Sequence, residues 1–414
     1  MKATPRPALS FAELYRRLPT PRSADDLELG GLLGLSLFLL IVLSGRDLDL
    51  LPSPVRLALV LSWPIVVYAF VVSGRASIPV AYIVLGAIGL RLNELQGYGG
   101  SDVLDSVFEA IGVLLAGSSP YGHSYTMTQP PGSPMPYPPA TLLLHLPGHL
   151  LAGKDGVFYN EAATAGVVIA ALVALAARVS WTLGLPALAA YAALGNLVYT
   201  SADGSNDTST GAMLLLAVLA VAWAWDGGWD GQRVRIAGLA AALALATKQS
   251  SLFVVVLLAI AVWQMAGRRS AALYVGAAGV LLLAFSIPFL LLGPVEYVRS
   301  LTAFAGVHED IYGWTIWAFA QGMGWPVLDV PEARLVNIVL TLGALLAVTR
   351  YRLSSIALAT AFGVLVTLVL FLTARWMSFA YFAMVTPIIL VLPLLAAWAA
   401  RGPTTPVEPK SEVA

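Results

Sequence analysis

Between residues 29 and 400 the chain returns again and again to long apolar runs separated by short charged or proline-containing connections. Twelve runs can be drawn, at about 29–45, 55–73, 77–92, 157–178, 183–200, 208–226, 235–247, 249–267, 271–293, 334–349, 354–373 and 378–400. Most approach the roughly 20 residues that a helix needs to cross a hydrocarbon core about 30 Å thick. Inside lipid every backbone amide must be paired within its own segment, so runs of this kind become helices. Of 414 residues 58% are hydrophobic and only 11% charged, against about 25% charged in a soluble domain. The expected fold is an all-α polytopic membrane protein of about twelve transmembrane helices, forming a single domain over 29–400.

Charge sets the expected orientation. Arg75, Arg178, Arg233, Arg235, Arg268, Arg269, Arg350, Arg352 and Arg401 fall on the side of the Arg-rich N-terminus. Asp47, Asp49, Glu94, Asp102, Asp105, Glu109, Asp203, Asp207, Glu296, Glu309, Asp310, Asp329 and Glu332 collect opposite, where Arg46, Arg299 and Arg334 are the basic exceptions. The positive-inside rule then makes residues 1–28 and 401–414 cytoplasmic tails. It also leaves two long external loops, about 93–156 and 294–333. The register holds only if PPATLLLHLPGHLL, residues 138–151, lies at the interface or re-enters the membrane rather than crossing it. Helices lying along the membrane are therefore expected in the first loop. Net charge is zero and no basic tract occurs, so no nucleic-acid partner is expected. The chain has no cysteine, which excludes disulfides and thiolate metal sites.

The first external loop carries the chemistry. Asp102, Asp105 and Glu109 recur at i, i+3 and i+7, one face of a helix whose other face is apolar. Such a carboxylate either caps the helix, a role open to Ser101 or Asp102, or deprotonates a hydroxyl of a membrane-bound substrate, and the two roles are compatible.

Lys248 is one of four lysines, and the others lie in tails or a loop. One helix through 235–267 would be about 50 Å long, too long for a single span, so a hairpin is required. Its first arm, about 13 residues or roughly 20 Å, places the tip below the membrane surface. An ammonium at that depth pairs with an acid such as Asp207, snorkels, or serves a ligand, for which phosphate is the natural choice. Asn206 and Asp207, in the Ser201–Thr208 segment, either cap a helix or bind sugar hydroxyls. His308 and Glu309 in the late loop, and Arg375 at the start of the last span, are further candidates for phosphate or substrate contact. The tryptophans of that loop, Trp314, Trp317 and Trp325, either stack on sugars or anchor the interface. Phosphate-loop, dinucleotide and HExxH patterns do not occur, and His145 with His149 is a weak metal pair.

Asp102…Glu109-Ala110…Gly117…Pro120-Tyr121…Tyr137-Pro138-Pro139, with Ala237-Gly238…Thr247-Lys248, resembles the type C glycosyltransferases over about 100–260. The likeness is greatest to their bacterial polyprenol-phosphate-dependent mannosyltransferase branch, which includes the phosphatidylinositol-mannoside enzymes. Gln249 stands where that branch has proline after the lysine, and its G-Q-x-N segment appears only as Gly204-Ser205-Asn206. The resemblance implies a bacterial plasma-membrane enzyme with an extracytoplasmic site. It would transfer a sugar, usually mannose, from a polyprenyl-phosphate donor to a lipid-linked or glycan acceptor with inversion. Asp102 holds the general-base position, with Asp105 as the alternative. Lys248, His308 and Arg375 would face the donor phosphate. Tyr121, Tyr137, Asn206, Asp207 and Glu309 would face substrate. No cofactor or metal is expected. Two other classes fit the same features less fully: a secondary transporter or lipid-linked-sugar flippase, and an O-antigen-ligase-like transferase.

Overall fold

The computed structural model describes residues 23–44, 53–97, 100–128, 131–307 and 310–403. The helices are α1 (Ala24–Ser44), α2 (Pro54–Ser73), α3 (Ser77–Gly97), α4 (Asp102–Leu115), α5 (Pro139–Arg178), α6 (Trp181–Ala193), α7 (Gly195–Thr200), α8 (Asp207–Asp226) and α9 (Gly231–Thr247). After a single 3₁₀ turn at Gln249–Ser251 come α10 (Leu252–Ala266), α11 (Arg268–Leu292), α12 (Pro294–Val307), α13 (Ile316–Gly322), α14 (Val330–Thr349), α15 (Ile356–Thr373) and α16 (Tyr381–Ala399). Two-residue strands, β1 (Tyr312–Gly313) and β2 (Trp376–Met377), pair in parallel. The protein is an all-α polytopic membrane protein.

Among the described residues ten helices are long and apolar enough to cross a membrane. The two remaining expected spans fall on shorter elements. The stretch 183–200 is broken at Leu194 into α6 and α7, and α9 has 17 residues, about 26 Å of helix. The first helix begins at Ala24 rather than near 29, and Asp26 in its first turn is fully buried. Its carboxylate accepts from Ser180 Oγ (2.6 Å), Trp181 N (2.9 Å) and Thr182 N (3.1 Å). It therefore satisfies amides that α6 leaves unpaired at its start, where the helix dipole also favours a negative charge.

Mean hydropathy does not set centrality here: it is 1.7 in α8, against 2.1 in α2 and 2.4 in α11. In α8, 72% of the membrane-length window is buried, against 6% in α2 and 11% in α11. Thus α8 runs through the middle, against α5, α9, α10 and α16, while α2 and α11 lie at the rim.

The expected interfacial or re-entrant segment is the first arm of α5. At Ala152 (φ −147°, ψ 21°) and Gly153 (φ 58°, ψ −132°) the backbone leaves the helical region and the chain doubles back. The arms touch at Gly148 and Gly156, where a Cβ on either would strike the other's carbonyl. Only glycine permits that approach.

Polar contacts define two ends of the bundle. At one, Arg178 Nη2 lies 2.6 Å from Asp226 Oδ2, Arg401 donates to the carbonyls of Arg178 and Val179, and Asp26 caps α6. The described chain thus begins and ends at the same end. At the other end the two long loops meet: Gly122 N donates to Ser300 Oγ (3.1 Å), and Gln249 Nε2 bridges the carbonyls of Pro136 (3.0 Å) and Leu301 (3.3 Å).

Candidate functional site

The expected hairpin tip exists. Helix α9 ends at Thr247, Lys248 is extended (φ −154°, ψ 126°), and α10 returns toward the Asp226 end, where Met265 and Trp225 line one cleft. Lys248 is only 6% exposed, and its ammonium lies 2.6 Å from Asp207 Oδ1 and 3.5 Å from Asn206 Oδ1. Of the roles open to this lysine, the ion pair with Asp207 is the one realised in the structure. Removing both charges from water is costly, and close contact with further hydrogen bonding offsets that cost. The rings of Tyr381 (4.5 Å) and Tyr137 (5.6 Å) add cation–π contact to the ammonium.

Helix α4 begins beside this group. Ser101 Oγ accepts from Leu104 N (3.2 Å), so the cap is Ser101 and not Asp102. Ser101 N donates to the Asp203 carbonyl (2.8 Å), which fastens the start of α4 to the turn before α8. Gly204 makes that contact possible. Its φ is +72°, and a side chain there would meet Leu104. Asp102 is the exposed first residue of α4, within electrostatic reach of both Tyr137 and Tyr381. Asp105, the alternative base, is instead ion-paired with Lys154 beyond the α5 bend, and Glu109 meets His123 at 3.0 Å.

Tyr137 is buried, and burial holds its phenol well above the ordinary range, with Tyr381, Asp207, Asp102 and Asp203 reinforcing the shift. Tyr121 donates to the Tyr137 carbonyl (2.9 Å) and packs edge-on to Phe289 and Tyr297. That places Tyr121 behind the site as its support rather than on a substrate face.

Asp203 is buried, and its carboxylate accepts from Ser205 N (2.7 Å). Burial pushes its carboxyl up to about 7, with the Ser205 amide opposing and the charges of Asp207 and Glu161 adding to the rise. Ser205 Oγ and Asn206 Nδ2 are buried without a hydrogen-bond partner among the described residues. The Asn206 amide leaves donor capacity next to Lys248.

One polar residue, Glu161, is not singled out from the sequence, and His145 is weighed there only as a weak metal partner of His149. Glu161 and His145 are both fully buried, with Oε1 and Nε2 3.1 Å apart across the arms of α5. The other carboxylate oxygen, Glu161 Oε2, accepts from Ser209 N (2.8 Å) at the start of α8. His145 is therefore not a metal partner of His149, which packs on Phe108. An acidic residue inside an apolar span was the available signal for Glu161.

Arg375 lies elsewhere: its guanidinium donates to the Leu328 carbonyl (2.5 Å), and its own carbonyl accepts from Tyr312 N (3.0 Å) beside the β1–β2 pair. Among the late-loop tryptophans, Trp317 is buried and donates to the Thr373 carbonyl (2.8 Å), while Trp314 and Trp325 are exposed. His308 and Glu309 fall outside the described residues. The structure thus brings Tyr137, Asn206, Asp207, Lys248 and Tyr381 together, with Asp102 and Asp203 within electrostatic reach and Asp105 and Arg375 held by other partners. Comparison with known protein families, curated proteins and solved structures finds no match to this chain.

Proposed function

We propose that the chain is a membrane glycosyltransferase that moves a sugar, with mannose the first choice, from a polyprenyl-phosphate donor to a hydroxyl of a lipid-linked or glycan acceptor. The observation carrying this reading is the convergence of Asp102 and the Lys248–Asp207 pair on the same two tyrosines, Tyr137 and Tyr381. An exposed carboxylate and a buried cation are the two groups that inverting transfer from a phosphate needs. The resemblance of the 100–260 region to type C glycosyltransferases points the same way.

In this mechanism Asp102 takes the proton of the acceptor hydroxyl as its oxygen attacks the anomeric carbon. The bond from that carbon to the phosphate oxygen breaks on the opposite face, and the polyprenyl phosphate departs as an anion. General-base assistance of this kind contributes about 10²–10⁴ in rate. Lys248, with the unpartnered Asn206 amide, stabilises charge accumulating on the phosphate. Asp207 already balances one ammonium charge, so the phosphate enters a recess rich in carboxylates. Asp203, raised by burial to about 7, carries little charge below neutrality and lessens that repulsion.

The test is transfer from labelled polyprenyl-phosphate mannose in membranes containing wild-type protein or Asp102→Asn. Loss of transfer at unchanged folded yield supports the reading. Full transfer by Asp102→Asn, or no consumption of any polyprenyl-phosphate sugar by wild type, rejects it.

One observation favours a carrier as second reading. The break at Leu194, where Arg91 donates to the Ala192 and Tyr191 carbonyls (3.0 and 3.2 Å), and the break at Lys248 are interrupted helices beside buried charges, as in transporters. A carrier would translocate the lipid-linked sugar without cleaving it.

A further inference from the structure

The atoms joining Thr247 to Ser209 form a closed polar circuit around the Lys248–Asp207 pair. Thr141 Oγ1 donates to the Thr247 carbonyl (2.5 Å), immediately before Lys248. The Thr141 carbonyl faces His145 Nδ1 (2.8 Å), His145 Nε2 faces Glu161 Oε1 (3.1 Å), and Glu161 Oε2 takes the Ser209 amide (2.8 Å), two residues after Asp207. A carbonyl only accepts, so Nδ1 carries a hydrogen. The contact of Nε2 with a carboxylate oxygen then requires one more proton, on the imidazole or on the carboxyl. Without it two lone pairs would oppose each other in a fully buried place.

We propose that His145 and Glu161 are positioning residues that hold one shared proton and thereby lock the start of α8 and the α9–α10 turn, setting Asp207 against Lys248. The circuit ties α5 and α8 to the α9–α10 hairpin, and Thr141, His145, Glu161 and Ser209 are all fully buried. The titratable groups within electrostatic reach of Glu161 are Tyr191 on α6, which meets Arg91, and Asp203 in the turn before α8.

This inference rests on the Lys248–Asp207 site of the proposed function but not on its transfer chemistry, and its test uses no substrate. With four lysines in the chain, acetylation of Lys248 relative to Lys154 can be followed by peptide mass spectrometry on the full-length protein in detergent. Glu161→Ala and His145→Ala should raise the Lys248 rate about tenfold while leaving Lys154 unchanged, as expected for loss of a buried hydrogen bond that limits local opening. Glu161→Gln should restore the wild-type rate, because its oxygen accepts the Ser209 amide and its NH₂ donates to neutral Nε2. If neither alanine variant is monodisperse, Thr141→Val decides, with a faster Lys248 expected. An unchanged ratio in a folded alanine or Thr141→Val variant overturns the proposal. So does an equal rise at both lysines, or a Glu161→Gln variant as fast at Lys248 as Glu161→Ala. None of these outcomes bears on whether sugar transfer occurs.

Discussion

Lys248 Nζ and Asp207 Oδ1 lie 2.6 Å apart although 41 residues separate them, and both side chains are nearly inaccessible. One residue sits at the break after a 17-residue helix and the other opens the central helix. Removing either partner leaves a bare charge in a buried place. Lys248→Met and Asp207→Ala should each lower stability by about 3–5 kcal/mol. The double variant should recover much of that loss, because no orphaned charge remains. Thermal unfolding of the four proteins in detergent measures the coupling, and additive losses would show that the pair is not coupled.

Asp102 and Asp105 should separate cleanly. The Asp105–Lys154 pair is partly solvated, at 22% and 46% side-chain exposure, and exposed pairs are worth at most about 1 kcal/mol. Asp105→Asn should therefore keep both fold and sugar transfer within a few-fold of wild type, whereas Asp102→Asn should abolish transfer. Initial rates with labelled donor distinguish them, and a larger loss for Asp105→Asn would reassign the base.

The pH dependence has a definite sign. Asp203 has its carboxyl raised from 3.8 to about 7, so the folded protein binds its proton more tightly than the unfolded chain does. That contribution to stability is fully present below about 4 and is lost as pH rises through about 7. Asp203→Asn mimics the protonated form. It should match wild type near pH 4 and exceed it above pH 7, measured as the unfolding midpoint across pH.

Gly204→Ala tests the junction of α4 with the α8 turn. The backbone is left-handed there and the new Cβ would press on Leu104. A cost of about 1–2 kcal/mol is expected. Because Ser101 is hydrogen-bonded to Asp203 next door, a loss of transfer larger than Asp105→Asn causes should accompany it.

Much of this was legible one helix at a time. The apolar runs located the spans, and the shortness of the first arm placed Lys248 in a recess with Asp207 as an available partner. Pro147 and the two histidines marked 138–151 as a segment that does not cross, and the structure folds it back at Gly153. The break at Leu194 was marked only by Gly195-Asn196 directly after it. The Ala- and Leu-rich stretch around it reads as continuous helix, and Arg91, about 100 residues away, caps the broken end. Glu161 and His145 were also obscure as a pair, since their contact depends on two glycines meeting across a bend.

By itself, then, the sequence determined the all-α membrane class, most of the spans and which residues were too polar for their depth. Hydrophobicity and helical period are local properties, summed along one element. Only the tertiary structure decided which polar group satisfies which. It chose Ser101 over Asp102 as the cap, gave Asp105 to Lys154, and set Lys248 on Asp207. Each of those choices follows from distances between helices, which packing sets and no single segment encodes.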